Sequence, residues 1–294
     1  MSGEPSSSSS AAAPAVGGVA GRCDDGGVTM IEKRYGCRSW LPSFVPQWFR
    51  FVLCFSWFLV SVALVLVMSV FLLPRIRWRA RLVKLFMLIF APSVFSLYGV
   101  RIHAKGLEHR GSLKGRRSVI YLANHSSTLD FVTCSRVLST GTIAVAKKAL
   151  LFHPLGWVAW LNGTIFIDRS NREKAIKSMN SIGKKLTKHG LSICVFPEGT
   201  RSKDGRLQPF KKGAMHLAMQ TGCPIVPVVF NGAHKIWGKY GYRIACNAEP
   251  IRMTFLPPID TKNWTAESLE EHTKELHGLF VKHLDEEARP LKQE

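Results

Sequence analysis

The stretch "YLANHSSTLDF" (residues 121–131) sets one histidine and one aspartate five positions apart, directly after a short apolar run. Five steps in a regular helix leave two side chains about 140° out of line, and in a strand they point to opposite faces. The spacing therefore predicts a buried strand over 119–123, a turn at His125, and a helix that begins among residues 126–128. Asp130, in the first turn of that helix, is then able to reach back to His125.

Strand and helix signals alternate around this stretch, from about residue 99 to the end of the chain. Runs of β-branched and aromatic residues between turn residues predict strands at 118–123, 142–146, 164–167, 191–196, 224–230 and 251–256. Apolar residues at three- and four-residue steps over 175–186, stopped by Gly190, predict a core helix, and 265–288 is typical of a charged helix. We therefore expect an α/β domain over 99–294, with a mixed sheet flanked by helices.

The composition favours a folded, basic protein with anionic partners. Of the 294 residues, 46% are hydrophobic, which is enough for a sizeable core. Lysine and arginine number 40 against 20 acidic residues, and the net charge of +20 favours nucleic acid, acidic lipid or phosphorylated substrates without choosing among them. The 7 cysteines show no C-x-x-C pair and no His/Cys cluster at metal-ligand spacing. We expect reduced thiols, no disulfide framework and no metal site.

The N-terminal region 1–48 is predicted to be disordered. Residues 1–30 are rich in Ser, Gly and Pro and too polar to bury a core. A plastid transit peptide is the alternative. The acidic residues Glu4, Asp24 and Asp25 count against it, because such peptides are poor in acids.

Residues 49–98 are predicted to form helices that anchor the chain in a membrane. The run Phe51–Leu73 carries no charge and is long enough to cross a hydrocarbon core about 30 Å thick. It exceeds the apolar region of a signal peptide, about 7–15 residues, and the basic residues that follow it predict that the rest of the protein faces the cytoplasm. The second apolar run, Leu85–Tyr98, is interrupted by Pro92, and we expect an interfacial or re-entrant helix there rather than a second span.

The predicted strands end in polar residues, and ligands of open α/β sheets bind beside the carboxyl ends of strands. After the first strand, the carboxylate of Asp130 would hold the imidazole of His125 in one tautomer and make it a better base for a hydroxyl proton. A purely structural turn explains the same spacing. In "GTIFIDR" (163–169), Arg169 offers a fork of donors that fits a phosphate, unless it only pairs with Asp168 at the surface.

Further strand ends carry candidate binding residues. The stretch "VFPEGTRS" (195–202) offers an acceptor, a hydroxyl and a guanidinium on one turn, a set suited to a phosphate and a polar headgroup. The residues concerned are Glu198, Gly199, Thr200 and Arg201. Lys147 follows the strand at 142–146 and faces either a phosphate or solvent. The apolar run "CPIVPVVF" (223–230) favours a core strand, and the alternative, indicated by Pro227 inside it, is an edge strand or a bulge with a groove beside it.

In this order the motifs resemble those of a known enzyme family. His125-x4-Asp130, G-x-x-F-I-D-R (163–169), F-P-E-G-T-R-S (196–202) and "IVPVV" (225–229) are similar to the four motifs of the glycerolipid acyltransferases. Among these, the chain most resembles the 1-acyl-sn-glycerol-3-phosphate (lysophosphatidic acid) acyltransferases, over about residues 85–260. Ala149 departs from the pattern, in which an acidic residue commonly follows the two lysines.

The resemblance implies a reaction. His125, oriented by Asp130, would deprotonate the sn-2 hydroxyl of lysophosphatidic acid. The alkoxide would then attack the thioester of acyl-CoA and form phosphatidic acid, without a covalent acyl-enzyme. No cofactor is implied, because acyl-CoA is a co-substrate.

The resemblance also implies roles for the remaining residues and a set of partners, and the order of head, anchor and cytoplasm-facing domain favours a location. Arg169, Arg201 and Lys147 would bind the acceptor phosphate. Glu198, with Gly199 and Thr200, would help to position the acceptor, and the strand of Pro227 would contact the acyl chain. The expected partners are the phospholipid bilayer, lysophosphatidic acid and acyl-CoA, with no nucleic acid. The expected location is the endoplasmic reticulum membrane with the catalytic domain facing the cytoplasm, and a plastid membrane is the alternative.

Other functions remain open on the residues alone. A sister acyltransferase would use glycerol 3-phosphate or another lysophospholipid, although Thr200 and Arg201 favour a phosphatidate-forming enzyme by resemblance. A lipase-like serine hydrolase lacks support because the sequence has no G-x-S-x-G elbow. A basic nucleic-acid or membrane-binding protein without catalysis leaves His125 and Asp130 without a role, and the long apolar run opposes nucleic acid.

Overall fold

The structure is a computed structural model that describes residues 19–23, 29–36, 38–42, 44–70, 76–110, 118–139, 141–152, 154–161, 164–167, 182–184, 186, 188–240 and 243–291. The strands in this part of the chain are β1 Val19–Cys23, β2 Thr29–Tyr35, β3 Ile102–Lys105, β4 Ile120–Ala123, β5 Thr142–Lys147, β6 Ile165–Ile167, β7 Ser192–Val195, β8 Ile225–Asn231 and β9 Ile251–Phe255. The helices are α1 Gln47–Val70, α2 Ile76–Tyr98, α3 Leu129–Val137, α4 Pro154–Leu161, α5 Gly213–Thr221, α6 Ala233–Ile236 and α7 Leu269–His283.

The strands form one mixed sheet in the order β1-β2-β3-β9-β8-β4-β7-β5-β6. β4 pairs in parallel with β7 and with β8, whereas β8 and β9 are antiparallel. All six predicted strands are present, and the predicted α/β class with a mixed sheet is confirmed. Every residue of β4, β7 and β8 is buried, as expected for strands covered by helices on both faces.

Two apolar cores cover the faces of the sheet. On one face, Tyr121 and Phe230 belong to a core that includes buried residues of α1, α2 and α3. On the other face, Leu122 and Val229 pack with buried residues of α5 and α7. The alternation of side chains along a strand thus separates a layer that contains the N-terminal helices from a layer that contains the C-terminal helix.

The predicted helices are partly described. α7, followed by a 3-10 turn at Glu286–Ala288, is the charged helix predicted over 265–288. Of the core helix predicted over 175–186, residues 182–184 and 186 are helical, and 175–181 lie outside the described residues.

Pro227 lies in the interior of the sheet and not at its edge, because β8 has β4 on one side and β9 on the other. Val228 pairs with Phe255, and Ile225 pairs with Ile259. Two residues of β8 (226–227) therefore oppose three residues of the segment that follows β9 (256–258), which is a bulge. Pro227, which has no N–H to donate, lies within this bulge. The predicted bulge is confirmed, but it leaves Pro227 in a buried strand.

The N-terminal region departs from the prediction of disorder over 1–48. β2 pairs antiparallel with β1 and with β3, and Lys105 forms an ion pair with Glu32 at 2.9 Å. The prediction is wrong for these strands, because β2 has no alternating pattern of its own and obtains its hydrogen bonds from a strand far away in the sequence. Residues 1–18 and 24–28 lie outside the described residues.

The helices α1 and α2 cover the predicted anchoring region 49–98. α1 is long and apolar enough over Gln47–Met68 to cross a membrane, and 17% of that segment is buried. Since the core helix of a soluble domain is mostly buried, α1 has the exposure expected of a lipid-facing helix. α2 begins at Ile76, earlier than the predicted Leu85, and continues through Pro92, because its first half is basic and gives no apolar signal. Its apolar part, Leu88–Tyr98, is too short to span.

Arg50 fixes the start of α1 against the end of α2. Its side chain is 1% exposed and donates to the carbonyls of Leu97 at 2.5 Å and Pro42 at 2.6 Å, and to Ser39 Oγ at 2.7 Å. The last carbonyls of a helix carry partial negative charge, which stabilises a cation there. This clamp holds α1 beside the sheet, where it contributes to the cavity described below.

Candidate active site

The turn after β4 and the turn after β7 meet at the carboxyl ends of these strands. β4 and β7 run in parallel with Leu122 beside Val195, so His125 and residues 197–202 emerge at the same edge of the sheet. The Ser202 N–H donates to the His125 carbonyl at 2.9 Å and joins the two turns. The first and third sequence motifs are thus brought together.

His125 and Asp130 form the pair that their spacing predicts. His125 Nδ1 lies 2.9 Å from Asp130 Oδ2, and the Asp130 side chain is fully buried. The same oxygen accepts the N–H groups of Ser126 at 2.8 Å and Ser127 at 2.7 Å. α3 begins at Leu129, which confirms the predicted helix start and places Asp130 in its first turn. With the proton on Nδ1 directed at the carboxylate, Nε2 is the nitrogen available to accept a proton.

The plane of the imidazole is set by Phe196. The two ring centroids are 4.1 Å apart and the planes are inclined by 20°, a stacked arrangement. Because Phe196 directly follows β7, the strand that carries the Glu-Gly-Thr-Arg turn also holds the ring of His125.

Glu198 links two backbone segments at the site. Its Oε1 accepts the His125 N–H at 2.6 Å, and its Oε2 accepts the Gln208 N–H at 3.1 Å. The side chain is 3% exposed and is not among the residues that line the cavity. Burial raises the pKa of Glu198 to about 8, against the two N–H donors, which lower it. The two hydrogen bonds of Glu198 support the turn that carries His125. The resemblance implies a different role for Glu198, in which its side chain contacts the acceptor.

We expect the stabilisation by Glu198 to weaken as the pH rises. The folded-state pKa of about 8 is higher than the ordinary value, so folding favours the protonated carboxyl group. This contribution is complete below the unfolded pKa of about 4.3 and is lost as the pH rises through about 8. The Tm of the wild-type protein minus the Tm of Glu198→Gln should therefore fall with rising pH over this window. A difference that grows with pH would contradict this assignment.

The turn after Glu198 presents a hydroxyl and a guanidinium. Gly199 has a φ of +77°, and a Cβ there would lie 3.0 Å from Lys211 Nζ, so the turn favours glycine. Thr200 and Arg201 follow and line the cavity. Arg201 Nη1 donates to Thr128 Oγ1, which fixes the guanidinium at the start of α3.

A cavity of about 550 Å³ opens at this site, and we call it the inner cavity. Its polar residues include His125, Thr200 and Arg201. Its aromatic wall comes from α1 and α2 and contains Phe51, Phe55, Phe58 and Phe90. The volume and the mainly apolar lining are typical of a site for a small apolar ligand. A base and a guanidinium at an apolar cavity suit proton transfer on a ligand that has both an anionic group and a long chain.

Three residues contribute to the site although the sequence motifs did not single them out: Asn124, Trp237 and Lys239. The buried side-chain amide of Asn124 exchanges hydrogen bonds of 2.9 Å and 2.7 Å with the backbone of β8. The Trp237 carbonyl accepts from Ser127 Oγ at 2.7 Å, and Lys239 Nζ donates to the Arg201 carbonyl at 2.9 Å. Asn124 carries a signal, a polar residue at the end of a buried strand. Trp237 and Lys239 lie in no motif, and only the fold brings them to the site.

Other candidate residues are not brought to the inner cavity by the part of the chain that the structure describes. Arg169 lies outside the described residues, and of Lys147 only the backbone, in β5, is described. Pro227 pairs with Leu122, whose side chain belongs to the core on the opposite face of the sheet. Among the described side chains, no group of three His, Cys, Asp or Glu residues is arranged to hold a metal ion.

The sequence of this chain is similar to those of known acyltransferases. The Acyltransferase family matches residues 101–231. A 1-acyl-sn-glycerol-3-phosphate acyltransferase from Limnanthes alba is 38% identical over 244 residues, which cover 83% of this chain and 84% of that protein. A protein of the same name from Cocos nucifera is 40% identical over 182 residues, which cover 62% of this chain and 58% of that protein.

A solved structure agrees in fold. The crystal structure of the 1-acyl-sn-glycerophosphate (LPA) acyltransferase PlsC from Thermotoga maritima matches with a TM-score of 0.65 at 25% identity, and covers 81% of this chain and 94% of that one. The resemblance carried by the motifs is thereby confirmed. This chain and its relatives are similar over most of their lengths, and His125 and Asp130 of the first motif are within hydrogen-bond distance, so this chain belongs to the 1-acyl-sn-glycerol-3-phosphate acyltransferase family.

Proposed function

We propose that the protein transfers the acyl group of acyl-CoA to the sn-2 hydroxyl of lysophosphatidic acid and releases phosphatidic acid for phospholipid and triacylglycerol synthesis. The observation that carries the proposal is the His125–Asp130 pair, which opens onto a cavity with Arg201 and an aromatic wall. The base suits the hydroxyl of the acceptor, the guanidinium suits its phosphate, and the wall suits an acyl chain. The names of the relatives specify the same acceptor.

The geometry supports direct transfer between the two substrates. Asp130 holds Nδ1 of His125, so Nε2 takes the proton of the sn-2 hydroxyl. The alkoxide attacks the thioester carbonyl carbon and forms a tetrahedral oxyanion. The C–S bond then breaks, and the departing sulfur of CoA takes the proton from the imidazolium. In this proposal acyl-CoA supplies the activated acyl group, and no further cofactor takes part.

Arg201, Lys147 and Arg169 form the phosphate site in this proposal. Arg201 lines the inner cavity. Lys147 pairs with Ile167 across β5 and β6, and Arg169 follows two residues later. In this proposal the three cations bind the phosphate of the acceptor together.

Replacing Arg201 by alanine should raise the KM for lysophosphatidic acid about ten- to a hundredfold, because a hydrogen bond to a charged group contributes about 1.5–3 kcal/mol. Arg206→Ala is the matched control, since Arg206 donates to the Arg289 carbonyl at 3.0 Å and does not line the inner cavity. Steady-state kinetics with varied acceptor measure the effect. An unchanged acceptor KM in Arg201→Ala would refute its role in phosphate binding.

We further propose that the protein works at the endoplasmic reticulum membrane with its catalytic domain facing the cytoplasm. The length and exposure of α1 and the net charge of +20 support a membrane with anionic lipid. The basic residues at the start of α2 support the orientation. A tag placed after Glu294 should be digested by protease added to intact microsomes, and protection of the tag would contradict this orientation.

The proposed reaction is tested by acyl transfer in membranes that contain the protein. Oleoyl-CoA and lysophosphatidic acid should yield phosphatidic acid, and the His125→Ala protein should yield it about 10²- to 10⁴-fold more slowly. Glycerol 3-phosphate and lysophosphatidylcholine are offered in separate assays. Transfer to either of these in place of lysophosphatidic acid would overturn the acceptor assignment, and transfer only from acyl carrier protein would overturn the donor assignment.

A further inference from the structure

A second cavity of about 660 Å³ lies beside the inner cavity, at the start of α1, and we call it the outer cavity. The two cavities share a wall formed by Phe51, Tyr98, Trp237 and Ile244. Gln47, Trp48 and Arg243 line the outer cavity and not the inner one. The inner cavity alone includes His125 among its lining residues.

We propose that the outer cavity binds the acyl chain of the lysophospholipid acceptor and that the inner cavity binds the acyl chain of the donor. This inference rests on the proposed function, in which two molecules that each carry a long apolar chain must meet at His125. A long apolar chain is unfavourable in water, so each of the two chains requires apolar surroundings when the substrates meet at His125. Two adjoining cavities that share one wall meet this requirement at a single reaction centre.

The position of the outer cavity favours the acceptor. A lysophospholipid resides in the bilayer and has to enter the protein from the membrane. The residues at the start of α1 are exposed aromatics, with Trp48 67% and Phe44 83% exposed, as is typical of the level of lipid headgroups. A chain that leaves the bilayer at this level reaches the outer cavity first.

The charge around the outer cavity also favours an anionic lipid. Arg243 lines this cavity, and the positive charge of its side chain favours an anionic lipid over a neutral one. Lys239, four residues before it, donates to the Arg201 carbonyl at 2.9 Å and to Thr200 Oγ1 at 3.3 Å. Cations thus lie along the path from the outer cavity to the phosphate site, with Trp237 in the shared wall.

The two cavities are distinguished by the chain-length dependence of each substrate. In the wild type, the KM for lysophosphatidic acid should be lower with an oleoyl chain than with a decanoyl chain. In Trp48→Ala, the ratio of the decanoyl KM to the oleoyl KM should be at least threefold smaller than in the wild type. The dependence of the rate on donor chain length should stay as in the wild type. In Phe58→Ala, the donor dependence should change and the acceptor dependence should stay. Trp40→Ala, which removes a 65% exposed tryptophan that lines neither cavity, should change neither. Equal effects of Trp48→Ala and Trp40→Ala, or a changed donor dependence in Trp48→Ala, would overturn the proposal.

A binding measurement separates this inference from the reaction itself. Lysophosphatidic acid with a photoreactive group at the end of its chain is bound to the wild-type protein without a donor, and the labelled residues are mapped by mass spectrometry. Label at Trp48 or Arg243 supports the outer cavity. Label confined to Phe58 and Phe90 would overturn it. If label appears at Trp48 but no phosphatidic acid forms with acyl-CoA, the proposed function fails and the chain-binding site stands.

Discussion

Replacing His125 by alanine is expected to lower kcat for acyl transfer to lysophosphatidic acid by about 10²- to 10⁴-fold, the usual contribution of a positioned general base. The variant loses the nitrogen that accepts the hydroxyl proton in the proposed reaction. It should still fold, because the His125 N–H still donates to Glu198 and its carbonyl still accepts from Ser202. Asp130 also keeps its two backbone donors. Initial rates at saturating substrates measure the effect.

The control for this experiment is His216→Ala, which removes an exposed histidine of α5. Both variants should match the wild type in membrane abundance and in Tm. Wild-type activity in His125→Ala would refute the role of His125 as the base. A large fall in its Tm would attribute the loss of activity to folding and contradict the argument from backbone contacts.

Replacing Asp130 by asparagine is expected to lower kcat by about 10²- to 10⁴-fold and also to lower the Tm. The carboxylate holds the Nδ1 proton of His125 and is positioned to stabilise the imidazolium formed during transfer. An amide has no charge, and its NH2 group is a donor where a carboxylate oxygen accepted. Asp130 Oδ2 accepts hydrogen bonds from two backbone N–H groups and faces His125 Nδ1, and a hydrogen bond to a charged group contributes about 1.5–3 kcal/mol against about 0.5–1.5 kcal/mol for neutral partners, so the amide should stabilise this turn less.

The matched control is Asp260→Asn, at an exposed position after β9, which should leave both kcat and Tm unchanged. Thermal unfolding and initial rates are measured on the same preparations. Because the two effects have separate causes, kcat of the folded Asp130→Asn protein should remain low at temperatures well below its Tm. Recovery of wild-type kcat under those conditions would show that Asp130 serves stability alone.

The sheet and the contact between His125 and Asp130 were predictable because the interactions that create them are local. β4, β7 and β8 are buried on both faces, so each appears in the sequence as a short apolar run between turn residues. His125 and Asp130 meet within one turn, and their separation of five excludes a regular helix or strand. The family motifs then assign chemistry to positions that the spacing alone leaves open.

Side-chain direction was not predictable. The carboxylate of Glu198 has the same sequence context whether it faces a ligand or a backbone N–H, and its partner His125 lies 73 residues away. Pro227 is one residue from Val228, yet the two side chains point to opposite faces of the sheet. β2, within a region predicted to be disordered, forms a strand because β3 offers an unpaired edge.

The local pattern of residues thus predicts the elements and the contact between His125 and Asp130. Which side chains line the two cavities depends on packing between segments far apart in the chain, such as Phe51 of α1, Tyr98 of α2 and Ile244. Helices and strands have a fixed period that a sequence displays, whereas contacts between such distant segments have none. The walls of the cavities therefore become visible only when the chain is folded.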